Sequence, residues 1–306
     1  MKRVKVGVIG CGVMGGFHLK QYGSIPEVDI VGVSDIDPSR APQNIKFFND
    51  YKDLLKIADA VSITTPTSTH YEVGMAALDA GCHVLIEKPI SVTIDQGKKL
   101  ISKAKSKKLV LAVGHIERFN PAYTALIDQL GRDIPEIIDI KRFSPFPARI
   151  TDVSCVIDMM IHDIDLARHL AKSEIKCVNA IGKKVKSDKL DQALAVLVFK
   201  NGAVANIEAN RVHGEKVRKL IAAGPLRREA SRKAVYEADL LNKSLKISNA
   251  GRSKDISIKP FDQLNYELKD FINSIMKKRK PSVTGEDGSL ALDIANKIEE
   301  EALKTC

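Results

Sequence analysis

The chain of 306 residues has 44% hydrophobic and 28% charged side chains, values near globular averages that exclude disordered, collagen-like and disulfide-scaffold classes. At ~100–200 residues per domain, this length predicts two domains, which we place at residues 1–120 and 121–306. The net charge of +10 is spread along a chain without tryptophan and with 5% aromatic residues, so stacking platforms are scarce and we expect no nucleic-acid partner.

The first part of the sequence alternates short β-branched runs with helix-like stretches. We predict strands at Val4–Ile9, Val28–Ser34, Ala60–Thr64, His83–Ile86 and Leu109–Val113, with helices that include Tyr71–Ala80 and Thr93–Lys107. Strands that are separated by helices pair in parallel through right-handed crossovers. This half is therefore predicted to form a doubly wound α/β sheet.

The pattern changes after about residue 120. Helices are predicted at Ala122–Leu130 and Asp163–Leu170, followed by strands at Lys176–Val185, Gln192–Phe199 and Ala203–Val212, and finally by helices at Gln263–Lys277 and Ser289–Leu303 that pack back on the whole. Consecutive strands with tight turns indicate an α+β domain with a large, open and mostly antiparallel sheet. The segment Gly224–Lys233 is polar and basic where the surrounding pattern favours a strand.

A glycine motif, Gly10-Cys11-Gly12-Val13-Met14-Gly15, directly follows the first strand. Gly10 allows a tight turn, Gly12 lets the backbone approach a pyrophosphate, and Gly15 permits close helix–strand packing, with the helix N-terminus facing the anion. Asp35 lies at the end of the second strand, 20 residues past Gly15, where its carboxylate accepts hydrogen bonds from a ribose diol and repels a 2′-phosphate. We therefore predict a Rossmann site for NAD rather than NADP, formed by the glycine motif and Asp35; the alternative is a turn that only packs a helix.

Hydroxyl side chains follow a second strand end in the stretch Thr64–His70. Ser68 or Thr69 are candidate N-caps of the next helix. The same stretch lies at the carboxyl ends of the strands, where an open α/β sheet binds its ligand. The pattern favours neither interpretation over the other.

Two further groups of residues carry acid–base chemistry. Glu87-Lys88-Pro89 ends another strand, and a lysine there polarises a hydroxyl, although a lone lysine is more often a surface residue. Asp158 and His162 are four residues apart and share one face of a helix, where a neutral histidine is a natural acceptor for an alcohol proton. A D-x-x-x-H pair is also frequent by chance.

Taken together, these motifs resemble the Gfo/Idh/MocA oxidoreductase family, in which a Rossmann domain precedes an open α/β substrate domain. The resemblance rests on the glycine motif, Glu87-Lys88-Pro89, the D-x-x-x-H pair and the terminal 283–288 stretch VTGEDG. It implies that Lys88, Asp158 and His162 are the catalytic residues and that His162 is the base. It implies also that the cofactor is bordered by Thr65, Pro66, His70, Glu87 and Lys88.

Within that family, residues 113–121, 143–153 and 157–165 look like the group of UDP-N-acetylglucosamine 3-dehydrogenases, which supply a 3-keto sugar for amination in lipid A-type precursors. The expected reaction is oxidation of the C3 hydroxyl with NAD, and Arg118, Asn120 and Arg149 are candidate substrate contacts because an arginine fork suits a diphosphate. Their alternative is an ordinary place on a helix surface or loop. Ser154-Cys155 replaces the paired glycines of many family members, which is a point against a plain cyclitol dehydrogenase, and Gly224–Lys233 departs from the expected strand.

Three alternatives remain open at this point. In the first the substrate is a free cyclitol or hexose, and in the second it is a glycoside that is cleaved through a 3-keto step. In the third the chain is a non-catalytic NAD-sensing regulator. An open sheet face needs covering, and family members commonly pair through it, so we expect a homodimer or homotetramer.

The expected location is the cytoplasm. No stretch has the ~20 apolar residues that span a membrane, and the first strand begins at Val4, so we expect neither a membrane span nor a signal peptide. The five cysteines are scattered without a C-x-x-C pair, which predicts reduced thiols and no metal site. Cys11 is interpreted as a small filler of the glycine turn rather than an activated thiol.

Overall fold

The structure of the chain is a computed structural model that describes residues 3–147, 153–226 and 229–305. The strands in these residues are β1 Val4–Ile9, β2 Val28–Ser34, β3 Phe47–Phe48, β4 Ala60–Ile63, β5 His83–Glu87, β6 Leu111–Gly114, β7 Ile137–Phe143, β8 Ile175–Lys183, β9 Gln192–Phe199, β10 Val204–Asn210, β11 Val217–Leu226, β12 Glu229–Asp239, β13 Ser244–Asn249 and β14 Arg252–Ile256. The α-helices are α1 Val13–Tyr22, α2 Tyr51–Leu55, α3 Thr67–Asp79, α4 Ile94–Lys107, α5 Pro121–Leu130, α6 Ile161–Ala171, α7 Gln263–Met276 and α8 Gly285–Leu303.

The chain forms two compact units, the first of which reaches to Ile116 and also includes Asp262–Leu292. Its six strands form one sheet in the order β3-β2-β1-β4-β5-β6, and each neighbouring pair is parallel. The predicted doubly wound sheet is confirmed. Because β4 and β5 both end at the same edge as β1, the residues after these strands lie on one side of the sheet.

Helix α7 belongs to the first unit although it lies near the end of the sequence. Its apolar stripe of Leu264, Leu268, Phe271 and Ile272 is buried in the core that β1 and α1 also line. The spacing of four, three and one residues places these side chains on one face of the helix, so their burial holds the helix against the sheet.

The second unit contains Glu117–Phe261 and begins again at Asp293. Its eight strands run in the order β14-β13-β12-β11-β7-β10-β9-β8; β7 and β10 pair in parallel and the other neighbours are antiparallel. The predicted α+β domain with a mostly antiparallel sheet is confirmed. Every second residue of β9, from Ala193 to Phe199, is buried, which is the alternation of a sheet with one covered face.

Within the segment Gly224–Lys233, the described residues up to Leu226 and from Glu229 belong to β11 and β12, which pair with a register shift after Pro225. Gly224 of β11 pairs with Ala234 of β12, and Pro225 pairs with Lys233. A Cβ on Gly224 would lie 2.8 Å from Cα of Pro135, so glycine permits the close approach of the preceding loop. For the described residues of this segment, the expected departure from a strand is therefore wrong.

Two lysine-rich stretches of the sequence lie at helix C-termini. Lys105–Lys108 closes α4, and Lys277–Lys280 follows α7 directly. Positive charge at these positions complements the helix dipole. Among the described helices, none combines the length and apolar character that a bilayer crossing requires.

Candidate active site

The glycine motif forms a tight turn between β1 and α1. Gly10 has φ +96°, and its N–H donates to the carbonyl oxygen of Ser34 over 2.8 Å. A Cβ on Gly15 would lie 1.9 Å from the carbonyl oxygen of Gly10, so a side chain at position 15 is sterically excluded. Thr64 at the end of β4 closes the turn, because its hydroxyl donates to the same carbonyl oxygen over 2.6 Å.

Gly12 differs from Gly10 and Gly15 because no neighbouring protein atom would clash with a side chain at this position. It is the N-cap of α1 with φ −68°, and a Cβ there would meet nothing within 4 Å. The open space lies at the amino end of a helix whose first N–H groups have no partner within the helix. This is where a Rossmann turn receives a pyrophosphate, and the residues present fit an NAD molecule.

Asp35 is held beside this turn. Its two carboxylate oxygens accept hydrogen bonds from the backbone N–H of Cys11 over 2.5 Å and of Asp37 over 2.9 Å. Each oxygen keeps a further lone pair, which is what a ribose diol requires. Val13 is 60% exposed and Met14 is half-buried at the start of α1, and their place beside the cofactor stays a prediction.

Cys11 is the thiol inside the glycine turn. Burial, together with the charge of Asp35, raises the pKa of its thiol to about 11. A thiol in this state is protonated near neutral pH and is a poor nucleophile. The environment of Cys11 therefore agrees with a small side chain that fills the turn.

The stretch after β4 begins α3 earlier than the sequence pattern indicates. The helix starts at Thr67 with Pro66 as its N-cap, and no side chain caps it, so Ser68 and Thr69 lie inside the first turn. The candidate N-cap role of these two residues is wrong. The hydroxyl of Thr69 instead donates to that of Thr65 over 2.7 Å.

His70 is almost fully buried and links two strand ends. Its Nδ1 lies 2.8 Å from the carbonyl oxygen of Pro89, and its Nε2 lies 2.9 Å from that of Thr65. Burial lowers the pKa of His70 below its ordinary value. The ring thus holds the loop after β4 against the loop after β5.

The motif Glu87-Lys88-Pro89 ends β5, and the Lys88–Pro89 peptide bond is cis. Glu87 turns into the interior, where its Oε1 lies 3.0 Å from Nε2 of His18. Although burial raises the pKa of Glu87, the hydrogen bond from His18 and the charge of Lys88 bring it below its ordinary value. Glu87 is thus an ionised carboxylate that directly precedes Lys88.

Asp158 and His162 lie on two consecutive helical elements in the second unit. Asp158 is in a π-helical turn at Val156–Met160, and His162 is in the first turn of α6. Both side chains are half-buried. Single π-helical turns occur frequently at functional sites, because they re-aim side chains relative to a regular helix.

The three candidate substrate contacts have different outcomes. The guanidinium of Arg118 is buried and binds the carboxylate of Asp165. Its Nε and Nη2 donate hydrogen bonds to the two carboxylate oxygens over 2.6 and 2.8 Å. The side chain of Asn120 is buried as the N-cap of α5 and donates to Glu117 and to the carbonyl oxygen of Leu240. These positions favour structural roles for both residues over contact with a diphosphate. Arg149 lies outside the described residues.

Sequence reasoning missed the residues that hold α6. Arg142 of β7 forms hydrogen bonds to both carboxylate oxygens of Asp163, the shortest 2.7 Å, and its Nη1 donates to Glu117 over 3.0 Å. Asp163 and Asp165 are fully buried on either side of Ile164. The available signal was the occurrence of two acids among the apolar residues of one helix, which indicates buried ion pairs.

A glycine turn with open space at a helix N-terminus, an acidic strand end and a parallel sheet define a dinucleotide-binding Rossmann fold. Residues 4–115 match the family model described as an oxidoreductase family with an NAD-binding Rossmann fold, and residues 142–225 match the GFO/IDH/MocA C-terminal domain. The chain belongs to the Gfo/Idh/MocA oxidoreductase family, and its cofactor is NAD. The predicted family and cofactor are confirmed.

Individual relatives cover nearly the whole chain. UDP-N-acetylglucosamine 3-dehydrogenase of Acidithiobacillus ferrooxidans is 35% identical over 97% of each chain. The solved structure of that organism's enzyme has a TM-score of 0.93 and 34% identity, and the match covers 100% of this chain and 99% of the other. The scyllo-inositol 2-dehydrogenase (NAD(+)) of Bacillus subtilis is 29% identical over 95% of this chain and 92% of its own.

Proposed function

We propose that the protein oxidises the C3 hydroxyl of UDP-N-acetylglucosamine to a ketone with NAD. The observation that carries this proposal is the similarity to UDP-N-acetylglucosamine 3-dehydrogenase, which extends over both units and is accompanied by a TM-score of 0.93. A relative that shares only the Rossmann unit would support the cofactor but not the substrate, because the second unit carries the residues proposed to act on the sugar.

In the proposed reaction, His162 accepts the proton of the sugar hydroxyl. Bound NAD supplies the acceptor for the hydride that leaves C3, so the proton and the electron pair are both accounted for. Lys88 donates a hydrogen bond to the same oxygen and stabilises its developing negative charge. Asp158 positions the substrate or His162.

The setting of α6 supports a positioned base. The carboxylate of Asp163, next in sequence to His162, is fixed by Arg142 of β7, and Asp165 is fixed by Arg118. Two buried ion pairs thus join the amino-terminal part of α6 to the side chains of Arg142 and Arg118. A base that is held in this way loses little orientational freedom when the hydroxyl arrives.

We also propose that the chain assembles as a homodimer or homotetramer through the open face of its second sheet. One row across this face is apolar, with Val198, Val204, Ile137, Ala223 and Val235 at successive strand positions. Ile137 is 59% exposed and Val235 is 37% exposed in the single chain. A contiguous apolar row of this kind favours burial against a second copy.

The proposed setting is the cytoplasm, where NAD and nucleotide sugars are both available. The 3-keto sugar has a carbonyl group that an amino-transfer reaction consumes, which agrees with a place in the formation of lipid A-type precursors.

A substrate panel tests the proposal. UDP-N-acetylglucosamine, N-acetylglucosamine and myo-inositol are each incubated with NAD, and NADH is followed by its absorbance. We expect rapid reduction with the nucleotide sugar and slow reduction with the free sugar, because the remote nucleotide supplies binding energy that orients the reacting ring. His162→Gln should abolish most of the signal, whereas His213→Gln, at an exposed histidine of the same unit, should retain it.

A cyclitol dehydrogenase is the second candidate, because inositol dehydrogenases such as the Bacillus subtilis enzyme are also relatives over most of the chain. Turnover of myo-inositol at least equal to that of UDP-N-acetylglucosamine would favour it. Absence of NADH formation with every substrate, despite NAD binding, would favour a non-catalytic NAD sensor.

A further inference from the structure

A cluster of three titratable side chains in the first unit includes Glu87, the residue that precedes Lys88. Glu87 comes from the end of β5, His18 from α1 and Glu267 from α7. One polar side-chain atom of each residue lies within 4.8 Å of those of the other two. The relative exposure of His18 is 0% and that of Glu267 is 3%.

The carboxyl group of Glu267 is unusual in this cluster. Both of its oxygens are buried, and neither has an N–H or O–H donor as a hydrogen-bonding partner among the residues that the structure describes. A buried carboxylate without such a partner is strongly disfavoured. Burial, together with the negative charges of Glu87 and Asp270, raises the pKa of Glu267 well above its ordinary value, which favours the neutral carboxylic acid.

Glu87 has the opposite character. Its carboxylate accepts a hydrogen bond from His18 over 3.0 Å and retains further lone pairs. When the surroundings of two neighbouring carboxyl groups push their pKa values apart, one group holds the proton and the other is ionised, so each has a defined role. Here Glu267 is the group with an O–H to donate, and Glu87 is the group that accepts.

The position of Glu87 is also constrained from the other side. A Cβ on Gly114 of β6 would lie 2.9 Å from each of the three carboxyl atoms of Glu87. The carboxylate therefore lies directly against the backbone of the neighbouring strand. A displacement of Glu87 from this slot would move the next residue, Lys88, through the shared backbone.

We propose that Glu267 holds a proton that it donates in a hydrogen bond to Glu87, and that this bond makes Glu267 a positioning residue for Lys88. The inference rests on the function proposed above for the part that concerns Lys88, whereas the hydrogen bond itself is a property of the first unit alone. The titratable and charged groups around the pair are His18 and Tyr22 of α1, His70 of α3, Lys88 after β5 and Asp270 of α7.

His18, Glu87 and Glu267 could also surround a divalent cation, but the geometry favours a hydrogen bond over a metal ion at this position. Nε2 of His18 and Oε1 of Glu87 lie at 3.0 Å, the separation of a hydrogen bond between them. That bond occupies Nε2 of His18 with a proton rather than a metal ion, and one further proton on Glu267 supplies an O–H group that can donate to Glu87.

Infrared difference spectroscopy tests the hydrogen bond without any substrate. The C=O stretching band of a protonated carboxylic acid is absent for carboxylates and shifts in D₂O. The spectrum of the unmodified protein at neutral pH, minus that of Glu267→Gln, should contain this band. The matched control, Glu27→Gln at an exposed glutamate, should contribute none. Absence of the band, or one bound divalent metal ion per chain in the purified protein, would overturn the proposal.

Kinetics test the positioning role. Glu267→Leu fills the space without a donor and should lower kcat ~10- to 100-fold, the scale of a small misplacement of a reacting group, with little change in KM for the sugar. Glu267→Gln keeps an N–H donor toward Glu87 and should restore most of kcat. Equal kcat per folded molecule in both variants and the unmodified protein would show a merely structural role and refute the positioning. If the substrate panel fails while the infrared band is present, the proposed function falls and the hydrogen bond stands.

Discussion

Replacement of Gly12 by alanine should affect NAD binding much more than the stability of the protein. A methyl group at position 12 meets no protein atom within 4 Å, and φ −68° is an ordinary value for alanine. The cost to the free energy of unfolding should therefore stay below about 1 kcal/mol, the scale of an N-cap change. The methyl group projects instead into the space where the pyrophosphate approaches the backbone.

The expected loss is one hydrogen bond between a backbone N–H and a phosphate oxygen. Such a bond to a charged group contributes about 1.5–3 kcal/mol, which corresponds to a roughly 10- to 150-fold rise in the Kd for NAD. Isothermal titration calorimetry measures the Kd, and thermal unfolding of the NAD-free protein measures stability.

Two neighbouring glycines provide matched controls. Gly16→Ala also meets no atom within 4 Å, but it lies within α1, so it should leave the Kd unchanged and raise stability by about 0.5–1 kcal/mol. Gly15→Ala should destabilise the protein itself, since its Cβ would lie 1.9 Å from the carbonyl oxygen of Gly10. An unchanged Kd for Gly12→Ala, or an equal rise for Gly16→Ala, would refute the assignment of this turn to the pyrophosphate.

Three further predictions concern cofactor choice, catalysis and stability. Asp35→Ser should narrow the preference for NAD over NADP by about 1–3 kcal/mol, and equal binding of both cofactors by the unmodified protein in titrations would contradict the role of Asp35. His162→Ala should lower kcat by ~10²–10⁴ with NAD affinity nearly unchanged, and turnover of the unmodified enzyme should rise with pH as the imidazole loses its proton; full turnover per folded molecule would refute the assignment. Asp191→Asn should lower the free energy of unfolding by about 3–5 kcal/mol, since Asp191 is fully buried and accepts a hydrogen bond from Arg211 over 2.8 Å. Although burial raises the pKa of Asp191, hydrogen bonds from Ser187 and neighbouring N–H groups hold it well below its ordinary value. This stabilisation is therefore present above the usual aspartate pKa of ~3.9 and is lost as the pH falls below it. A difference in denaturant midpoint between the unmodified protein and Asp191→Asn that does not narrow in acid would contradict this account.

The amino-acid sequence determined those features of the protein that depend on neighbours along the chain. The alternation of strands and helices predicted the parallel sheet, and the glycine motif with Asp35 predicted the NAD site, because turn geometry and strand-end position are local properties. Only the tertiary structure decided which charged side chains are free to bind a ligand. Arg118 forms an ion pair with Asp165, which is 47 residues away in sequence. Glu87 and Glu267 lie close together because α7 belongs to the first unit. The physical reason is that the burial, partners and protonation state of a charged group depend on the segments packed around it, and these segments are distant in sequence.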